Sequence, residues 1–471
     1  MPMRVVLKFG GTSVGSAAAL RQVVEIVRDL AQTKEVVVVV SAMNAPDLRT
    51  TDALIEAARA AEKGDSSVAA TIAPQLLHLH LKTAVELASP SECQALERQL
   101  RPMFEHVSNL ATSIAILGEL TPRALDLISG QGERCNARLI AAALRSAGVP
   151  AEAFDATELI VTNENYGDAT PLMDETRLQT QKRLLPLLAQ GCVPVVTGFI
   201  AATQTGVPTT LGRGGSDYTC AILGAVLDAD EVWFWKEVDG VMSANPKIVP
   251  EAQTMTALSY TEMAELSYYG ANVLHPKTVH PVVQRKIPIR ILNTFNPTHP
   301  GTLITANTIS GTAKAVTSIR NVSLITVGGP GMLGLSGVAA RIFGAVAKAE
   351  ANVLLITQAS SEQNVCFAVP QQDSAKTVQK LREELASYLS HHDVEQIVVQ
   401  EPVVIVAVVG SGMRGTPGIA GCIFGELGHK GINIIAIAQG STEYNISLVV
   451  ADKDGDAAVQ AVHQVFALGK P

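Results

Sequence analysis

The chain has 471 residues, a formal net charge of −8, 47% hydrophobic residues and only 4% aromatic ones. The length exceeds one ordinary core, so two to three domains are expected, built on Ala, Val, Ile and Leu rather than on aromatic rings. No Lys/Arg-rich run and no long uncharged apolar stretch occurs, which argues against nucleic acid, anionic membrane or a membrane span, and the start from Met1 to Gly10 suits neither a signal nor a transit peptide.

The first half alternates apolar runs with helical periods. Val5–Phe9 reads as a strand; Leu20, Val23, Val24, Val27 and Leu30 recur at helical spacing; Val36–Val40 is five valines, a strand buried on both faces. Val193–Thr197 and Val232–Trp235 are further strands, and Leu139–Leu144 and Thr219–Leu227 are helical. This order implies βαβ units and a mostly parallel sheet, with the ligand crevice at the carboxyl ends of the strands. Residues 296–320, rich in Asn, Pro, Gly, Ser and Thr, form a connector. Beyond it the segments from Gly331 and Gly412 align without a gap, pairing Phe343 with Phe424, Gln358 with Gln439 and Asn364 with Asn445. Each copy reads strand, turn, helix, strand, hairpin, strand, a ferredoxin-like unit suited to dimerisation or ligand sensing. A second helix is expected over Ser374–Leu389 of the first copy. The expected division is 1–295, a connector 296–320, and two small domains, 321–398 and 399–471.

Cys93, Cys135, Cys192, Cys220, Cys366 and Cys422 form no CxxC pair and share no zinc spacing with His. They read as buried free thiols in a reducing cytoplasm, and no protein-bound metal is expected.

Four segments carry chemistry. In Lys8-Phe9-Gly10-Gly11-Thr12-Ser13 a strand ends on a lysine, glycines follow, and a helix starts, an arrangement that presents N–H groups and a point charge to a phosphate. By itself it is also compatible with an ordinary βα turn bearing a surface lysine. In Leu211-Gly212-Arg213-Gly214-Gly215-Ser216-Asp217 the arginine can grip a carboxylate, and Asp217 can hold Mg²⁺ through water or orient Lys8; Ser216 or Asp217 can equally be a helix cap. Glu133, after Gly132 and opening a helix, can accept an α-ammonium or serve only the helix dipole. The irregular stretch Trp235–Lys247 can wrap a nucleotide or be a plain turn. Together the four describe phosphoryl transfer onto an anion by charge stabilisation and positioning, without a general base. No Ser-His-Asp or Cys-His set competes, and His275 reads as structural.

KFGGTSV at Lys8–Val14, VSAM at Val40–Met43, SGQGER at Ser129–Arg134, LGRGGSDYT at Leu211–Thr219, EVDGV at Glu237–Val241 and GANVLHPKT at Gly270–Thr278 resemble the aspartate kinases nearly end to end. The resemblance implies the amino acid kinase fold followed by two ACT domains. It implies transfer of the γ-phosphate of ATP, with substrate-bound Mg²⁺, to the side-chain carboxylate of L-aspartate, the first step toward lysine, threonine and methionine. Lys8 and Asp217 would be catalytic. Ser41, Thr51, Glu133, Arg213 and Ser216 would hold aspartate. Lys8, Gly10, Gly11, Ser13, Lys236, Glu237, Met242, Lys247 and Asn272 would hold ATP.

The sequence departs from the pattern in three places. Lys236-Glu237 stands where the family often has Thr-Asp, Asn272 where many members carry lysine, and the Ser41–Thr51 stretch is longer than usual. ITQASSEQN at Ile356–Asn364 and IAQGSTEYN at Ile437–Asn445 are similar to the regulatory region of threonine-sensitive aspartate kinases fused to homoserine dehydrogenase. The effector is therefore expected to be threonine, with lysine as rival, bound through Gln358, Asn364, Gln439 and Asn445. No dehydrogenase fingerprint follows, so a stand-alone cytoplasmic kinase, dimeric through its ACT domains, is expected. The competing readings are another amino acid kinase and a non-catalytic amino-acid sensor on a kinase scaffold.

Overall fold

The computed structural model describes residues 2–270, 274–307, 313–333, 336–358 and 363–469. The chain divides into two compact units. The first comprises Met1–Val241, Thr256–Tyr260 and Leu274–Asn307; the second comprises Met242–Met255, Thr261–Val273 and Thr308–Pro471.

In the first unit, β1 (Met3–Phe9) and β2 (Lys34–Val40) are aliphatic runs buried from their third residue onward. That is the signature of strands covered on both faces. Between them runs the helix Ala17–Ala31, capped by the Ser16 hydroxyl accepting from the Ala19 N–H at 3.2 Å, with Leu20, Val23, Val24 and Val27 buried. The helix thus begins at Ala17 rather than directly behind Gly11, because Ser16 is the first residue after the turn whose side chain can cap it. The remaining strands are β3 (Ala151–Phe154), β4 (Val161–Thr162), β5 (Val193–Thr197), β6 (Ile200–Thr203), β7 (Pro208–Thr210), β8 (Glu231–Lys236), β9 (Ala257–Ser259), β10 (Ile289–Asn293) and β11 (Thr302–Thr305). The large sheet runs β3-β5-β2-β1-β8-β10-β11-β9, and β4-β6-β7 forms a small one. From β3 to β10 all neighbours are parallel; β11 is antiparallel to β10. The chain leaves β1 for β2 on one side and reaches β8 on the other, so the reversal of strand order falls beside the carboxyl end of β1.

Helices Ser67–Val85 and Pro90–Leu117 contribute to the same core, the second through Leu96, Leu100, Phe104, Val107, Ala111 and Ile114. Their spacing is helical. The turn-rich stretch 296–320 holds more order than its composition suggests, since it supplies β11 and the start of the next strand.

The second unit is built on a six-stranded antiparallel sheet. Its strands are β12 (Ala315–Gly328), β13 (Leu355–Gln358), β14 (Asn364–Pro370), β15 (Gln396–Val409), β16 (Ala436–Gln439) and β17 (Asn445–Ala451), in the order β13-β14-β12-β15-β17-β16. The two repeat copies meet at β12 and β15. Each is 14 residues long, and they pair along their length with a break in register around Val322. Helices Val338–Lys348 and Ser374–Glu384 serve the first copy, Ile419–His429 and Gly455–Val465 the second. Residues 242–255 come before the connector in sequence, yet Ala244 and Val249 are buried in the core of the second copy with Val406, Ile423 and Val459. An apolar segment follows the surface that covers it, and sequence order does not reveal which surface that is.

All six cysteines are free. Only Cys135 and Cys220 are buried, whereas Cys422 is exposed on the helix Ile419–His429, which corrects the expectation of six buried thiols. Among the described residues no helix is long and apolar enough to cross a membrane.

His80 is fully buried against Phe104, and its Nδ1 lies 2.7 Å from the Leu76 carbonyl, which assigns the proton to Nδ1. Burial pushes its pKa down to about 4. A folded-state pKa below the unfolded value means this group's stabilising contribution is complete above about pH 6.5 and is lost as pH falls toward 4. His80→Gln should therefore flatten the acid limb of thermal stability across that window by about 3 kcal/mol, measured as the difference between the two proteins' Tm-versus-pH curves.

Candidate active site

The pleat of the sheet sorts the residues at the strand ends. Leu7 and Phe9 enter the core on one face, and Lys8 between them points to the other. Phe9 pairs with Trp235 on β8, so Lys236 follows on the Lys8 side. Asp217, in the first turn of helix Gly215–Val226, meets both lysines: Lys8 Nζ lies 2.6 Å from Oδ1, and Lys236 Nζ donates to Oδ2 at 3.1 Å. Gly214, not Ser216 or Asp217, occupies the cap position of that helix. Burial alone would raise the Asp217 carboxyl, but the two ammonium groups outweigh it and hold it below the usual carboxylate range. Burial pulls Lys236 below its ordinary value, against the attraction of Asp217.

The loop before that helix is shaped by Gly212, at φ 73°, where a Cβ would stand 2.5 Å from Asp168 Oδ1. Asp168 is itself held by Lys277 Nζ at 2.8 Å. Buried Asp126 accepts from the Thr210 hydroxyl (2.7 Å) and from the N–H groups of Thr210 (3.0 Å) and Gly167 (2.9 Å), fastening the strand that leads into the loop. Arg213 is left exposed, with no ion pair among the described residues. His275 caps the helix Pro276–Gln284, accepting from the Lys277 N–H at 3.2 Å.

Glu133 opens the helix Gln131–Ser146. Gly132 allows that helix end to lie against the segment after β2, since a Cβ there would fall 2.6 Å from Ala42 Cβ and 2.8 Å from Thr50 Cγ2. Glu133 is 4% exposed, and its Oε2 has no partner among the described residues. Burial pushes its pKa up to about 7, against the Ala42 N–H, its own N–H and the Lys8 charge. One turn on, Asn136 Nδ2 donates to the Ser41 carbonyl at 2.6 Å.

These elements enclose a cleft of about 420 Å³, lined by Lys8, Gly11, Ser41, Thr51, Glu133, Arg213, Ser216 and Asp217. Lys236 joins it through Asp217. Gly10 stands at the end of β1 beside Lys8, while Ser13 is fully buried, its Oγ 2.8 Å from Thr294 Oγ1. Glu237 is exposed at the end of β8. Met242 and Lys247 belong to the second unit, and Asn272 lies outside the described residues.

Sequence reasoning missed Asn44, Arg49, Thr50, Asp52 and Phe199, which also line the cleft. Asn44 and Arg49 bridge each other, so the extra residues of the Ser41–Thr51 stretch loop out between them. This leaves Thr50, not only Thr51, in the wall; Thr50 is fully buried, and its Oγ1 has no partner among the described residues. The unusual length of the stretch was the only sequence signal of this. Phe199 holds φ 68°, uncommon outside glycine, and is fixed by its N–H donating to Thr219 Oγ1 at 3.1 Å and its carbonyl accepting from the Leu211 N–H at 2.9 Å.

Arg49 pairs with Asp52 at 3.8 Å and Asp217 with the two lysines, so what the cleft offers beside these is the Glu133 carboxyl, the Arg213 guanidinium and hydroxyls, with the lysine pair at its inner end. That set suits an amino-acid zwitterion carrying a further anionic group. Among the described residues no three His, Cys, Asp or Glu gather as a bound metal would require.

In the second unit Gln358 and Gln439 end β13 and β16, both exposed, and Asn364 and Asn445 begin the strands they pair with. The copies differ in that Asn445 Nδ2 donates to Glu265 Oε2 at 3.1 Å.

Residues 3–293 match the amino acid kinase family, and residues 325–385 and 406–466 each match the ACT domain. Bifunctional aspartokinase/homoserine dehydrogenase 1 of Zea mays is 37% identical over 98% of this chain and 50% of its own length, so the chain spans about half the length of such curated relatives. Aspartokinase 1 of Arabidopsis thaliana is 33% identical over 98% of this chain and 80% of its own. E. coli aspartokinase III in complex with lysine and aspartate superposes with a TM-score of 0.79 at 29% identity, covering 98% of this chain and 99% of that one; its complex with aspartate and ADP gives 0.78 at 28%, with the same coverage.

The Glu133 carboxyl should titrate near pH 7 in the ligand-free protein. Carbon-detected NMR of labelled glutamate, with Glu133→Gln as assignment control, checks this; a titration in the ordinary carboxylate range would contradict the buried environment.

Proposed function

This chain belongs to the amino acid kinase family, among its aspartokinases, and we propose that it transfers the γ-phosphoryl group of ATP to the side-chain carboxylate of L-aspartate. The observation that carries this reading is the convergence of Glu133, Arg213 and the Lys8–Asp217–Lys236 cluster on one cleft. Glu133 takes the substrate ammonium and Arg213 its α-carboxylate, with Ser41, Thr51 and Ser216 beside them. The side-chain carboxylate is then directed toward Lys8. It is already ionised at neutral pH, so it attacks without a general base, and the bridging oxygen leaves with ADP. Lys8 and Lys236 counter the charge that gathers as two anions approach, and Asp217 keeps both ammonium groups in place. Mg²⁺ would arrive on the nucleotide, where it neutralises phosphate charge; Asp217, with each oxygen on a lysine, is not its ligand.

The two ACT copies serve as the effector site, with Gln358 and Gln439 as contact residues and threonine as the favoured amino acid over lysine. Exposed Ile356 and Ile437 occupy equivalent positions on the edge strands β13 and β16, and they support dimerisation through these copies. The product would feed lysine, threonine and methionine synthesis in the cytoplasm.

Aspartate-dependent ADP release with Mg-ATP tests the reading, with glutamate and N-acetylglutamate as controls. Lys8→Ala and Arg213→Ala should each lower kcat/KM for aspartate by about 10²–10³-fold. Because ionised Glu133 dominates only above its pKa, kcat/KM should fall roughly tenfold per pH unit below 7 in the wild type, and Glu133→Gln should abolish that dependence. No release with aspartate would favour a sensor on a kinase scaffold.

Added threonine should suppress the activity, and Gln358→Ala should relieve that suppression. Suppression by lysine alone would keep the kinase and reassign the effector. Sedimentation at micromolar concentration should give twice the chain mass; a monomer would remove the dimer.

A further inference from the structure

The helix Gln131–Ser146 carries a polar side chain into an apolar stretch. Asn136 is fully buried, and Cys135, Ala137, Leu139 and Ile140 are buried with it. A buried amide costs free energy unless its groups are bonded. Here Nδ2 donates to the Ser41 carbonyl at 2.6 Å, while Oδ1 has no partner among the described residues. An apolar side chain would avoid leaving that oxygen unmet. The amide is therefore a poor choice for packing alone, and its one bond is the feature to explain.

That bond falls on a particular peptide. The Ser41 carbonyl and the Ala42 N–H belong to one planar unit, and the Ala42 N–H is bonded to the Glu133 carboxyl. Glu133 and Asn136 stand three residues apart on one helix, so they share a face. Together they hold both polar atoms of the Ser41–Ala42 peptide. A peptide held at one atom can still turn about its flanking bonds; held at both it cannot. Gly132 lets the helix end come close enough, since a Cβ there would fall 2.6 Å from the Ala42 Cβ. The Ser41 N–H is tied to β1 as well, donating to the Phe9 carbonyl at 3.2 Å. The turn after β2, which carries Ser41 into the cleft wall, is thus fixed both from the sheet and from the helix.

We propose that Asn136 is a positioning residue for the substrate: by holding the Ser41 carbonyl it keeps the Ala42 N–H on Glu133, so that this carboxyl meets the substrate ammonium in one fixed orientation. The role given to Glu133 rests on the function proposed above; the clamp on the peptide does not. Without Asn136 the peptide is free to turn and the Ala42 N–H to leave. An N–H bonded to a carboxylate favours its ionised form. The other groups around Glu133 are Lys8 on β1, which also favours the ionised form, and the adjacent Cys135 thiol, which burial pushes up to about 12 and so keeps neutral. Arg134, on the same helix, pairs with Asp155 at 3.5 Å, and Arg49, Asp52, Arg213 and Asp217 line the same cleft. Asn136→Ala changes none of these charges. Loss of the Ala42 N–H then leaves burial less opposed, and the carboxyl titrates at higher pH.

The test uses the full ligand-free chain. Carbonyl-carbon labelling of serine with nitrogen labelling of alanine restricts the spectrum to Ser–Ala peptides, and Ala42→Gly identifies the peak at 42. In the wild type that peak should move with pH in step with the Glu133 carboxyl, near pH 7, and should stop moving in Glu133→Gln. In Asn136→Ala the Glu133 carboxyl should titrate at higher pH than in the wild type, and the Ala42 peak should no longer follow it. Cys135→Ala, which shortens the neighbouring buried side chain and leaves the Ser41 bond intact, should keep both wild-type behaviours. In aspartate-dependent ADP release, Asn136→Ala should raise KM for aspartate about fivefold, as expected for one hydrogen bond, and leave KM for ATP unchanged. The clamp is overturned if the Ala42 peak ignores the Glu133 titration, if Asn136→Ala leaves that titration where it was, or if Cys135→Ala shifts it as far. The positioning role is overturned if the two KM values rise together. A wild type that releases no ADP would refute the kinase reading, and with it the role toward aspartate, while the spectra would still decide the clamp.

Discussion

The site depends on one partly buried carboxylate held between two ammonium groups. Asp217 takes Lys8 on one oxygen and Lys236 on the other, at 2.6 and 3.1 Å. Two lysines at neighbouring strand ends would repel each other and would lose hydration without compensation. The carboxylate from a facing helix turn makes the pair tenable and leaves the cluster with one net positive charge. The parallel sheet brings the three residues together. Lys8 and Lys236 sit at the carboxyl ends of adjacent strands, and the pleat turns both to the face that receives Asp217.

The rest of the cleft arranges groups around that cluster. Gly132 permits a close approach that seats Glu133 in the wall, and the burial that follows lifts its carboxyl into the neutral range. Asp126 fastens the strand that leads into Arg213 without touching the cleft itself. The two groups proposed to recognise a zwitterion are thus set by neighbours of different kinds, a steric fit for one and a hydrogen-bonded anchor for the other.

The second unit solves a separate problem. A single ferredoxin-like copy leaves sheet edges unpaired. Here the first strand of each copy is long enough to serve both copies, and β12 and β15 pair over most of their length with a break in the middle. The copies share one sheet while each keeps its own helices and core.

Much of this was legible in the residues. The valine run of β2, the lysine before Gly10, the Arg213 loop and the 81-residue offset between Gln358 and Gln439 are local patterns, and local patterns survive in a linear string. What stayed hidden has in common that it joins residues far apart. The burial of Thr50 depends on a glycine at 132; the pairing of Lys236 with Asp217 depends on strand order; the burial of Ala244 and Val249 depends on a core made more than 150 residues later. The Trp235 indole, which has no acceptor among the described residues, is invisible to any pattern, because that state is defined by what its neighbours in space supply. The sequence by itself determined which elements form and which chemistry is at hand, because periodicity and turn residues act over a few positions. Only the tertiary structure decided which charges meet, which carboxyl is desolvated and which donor is left over, because those depend on distances through space.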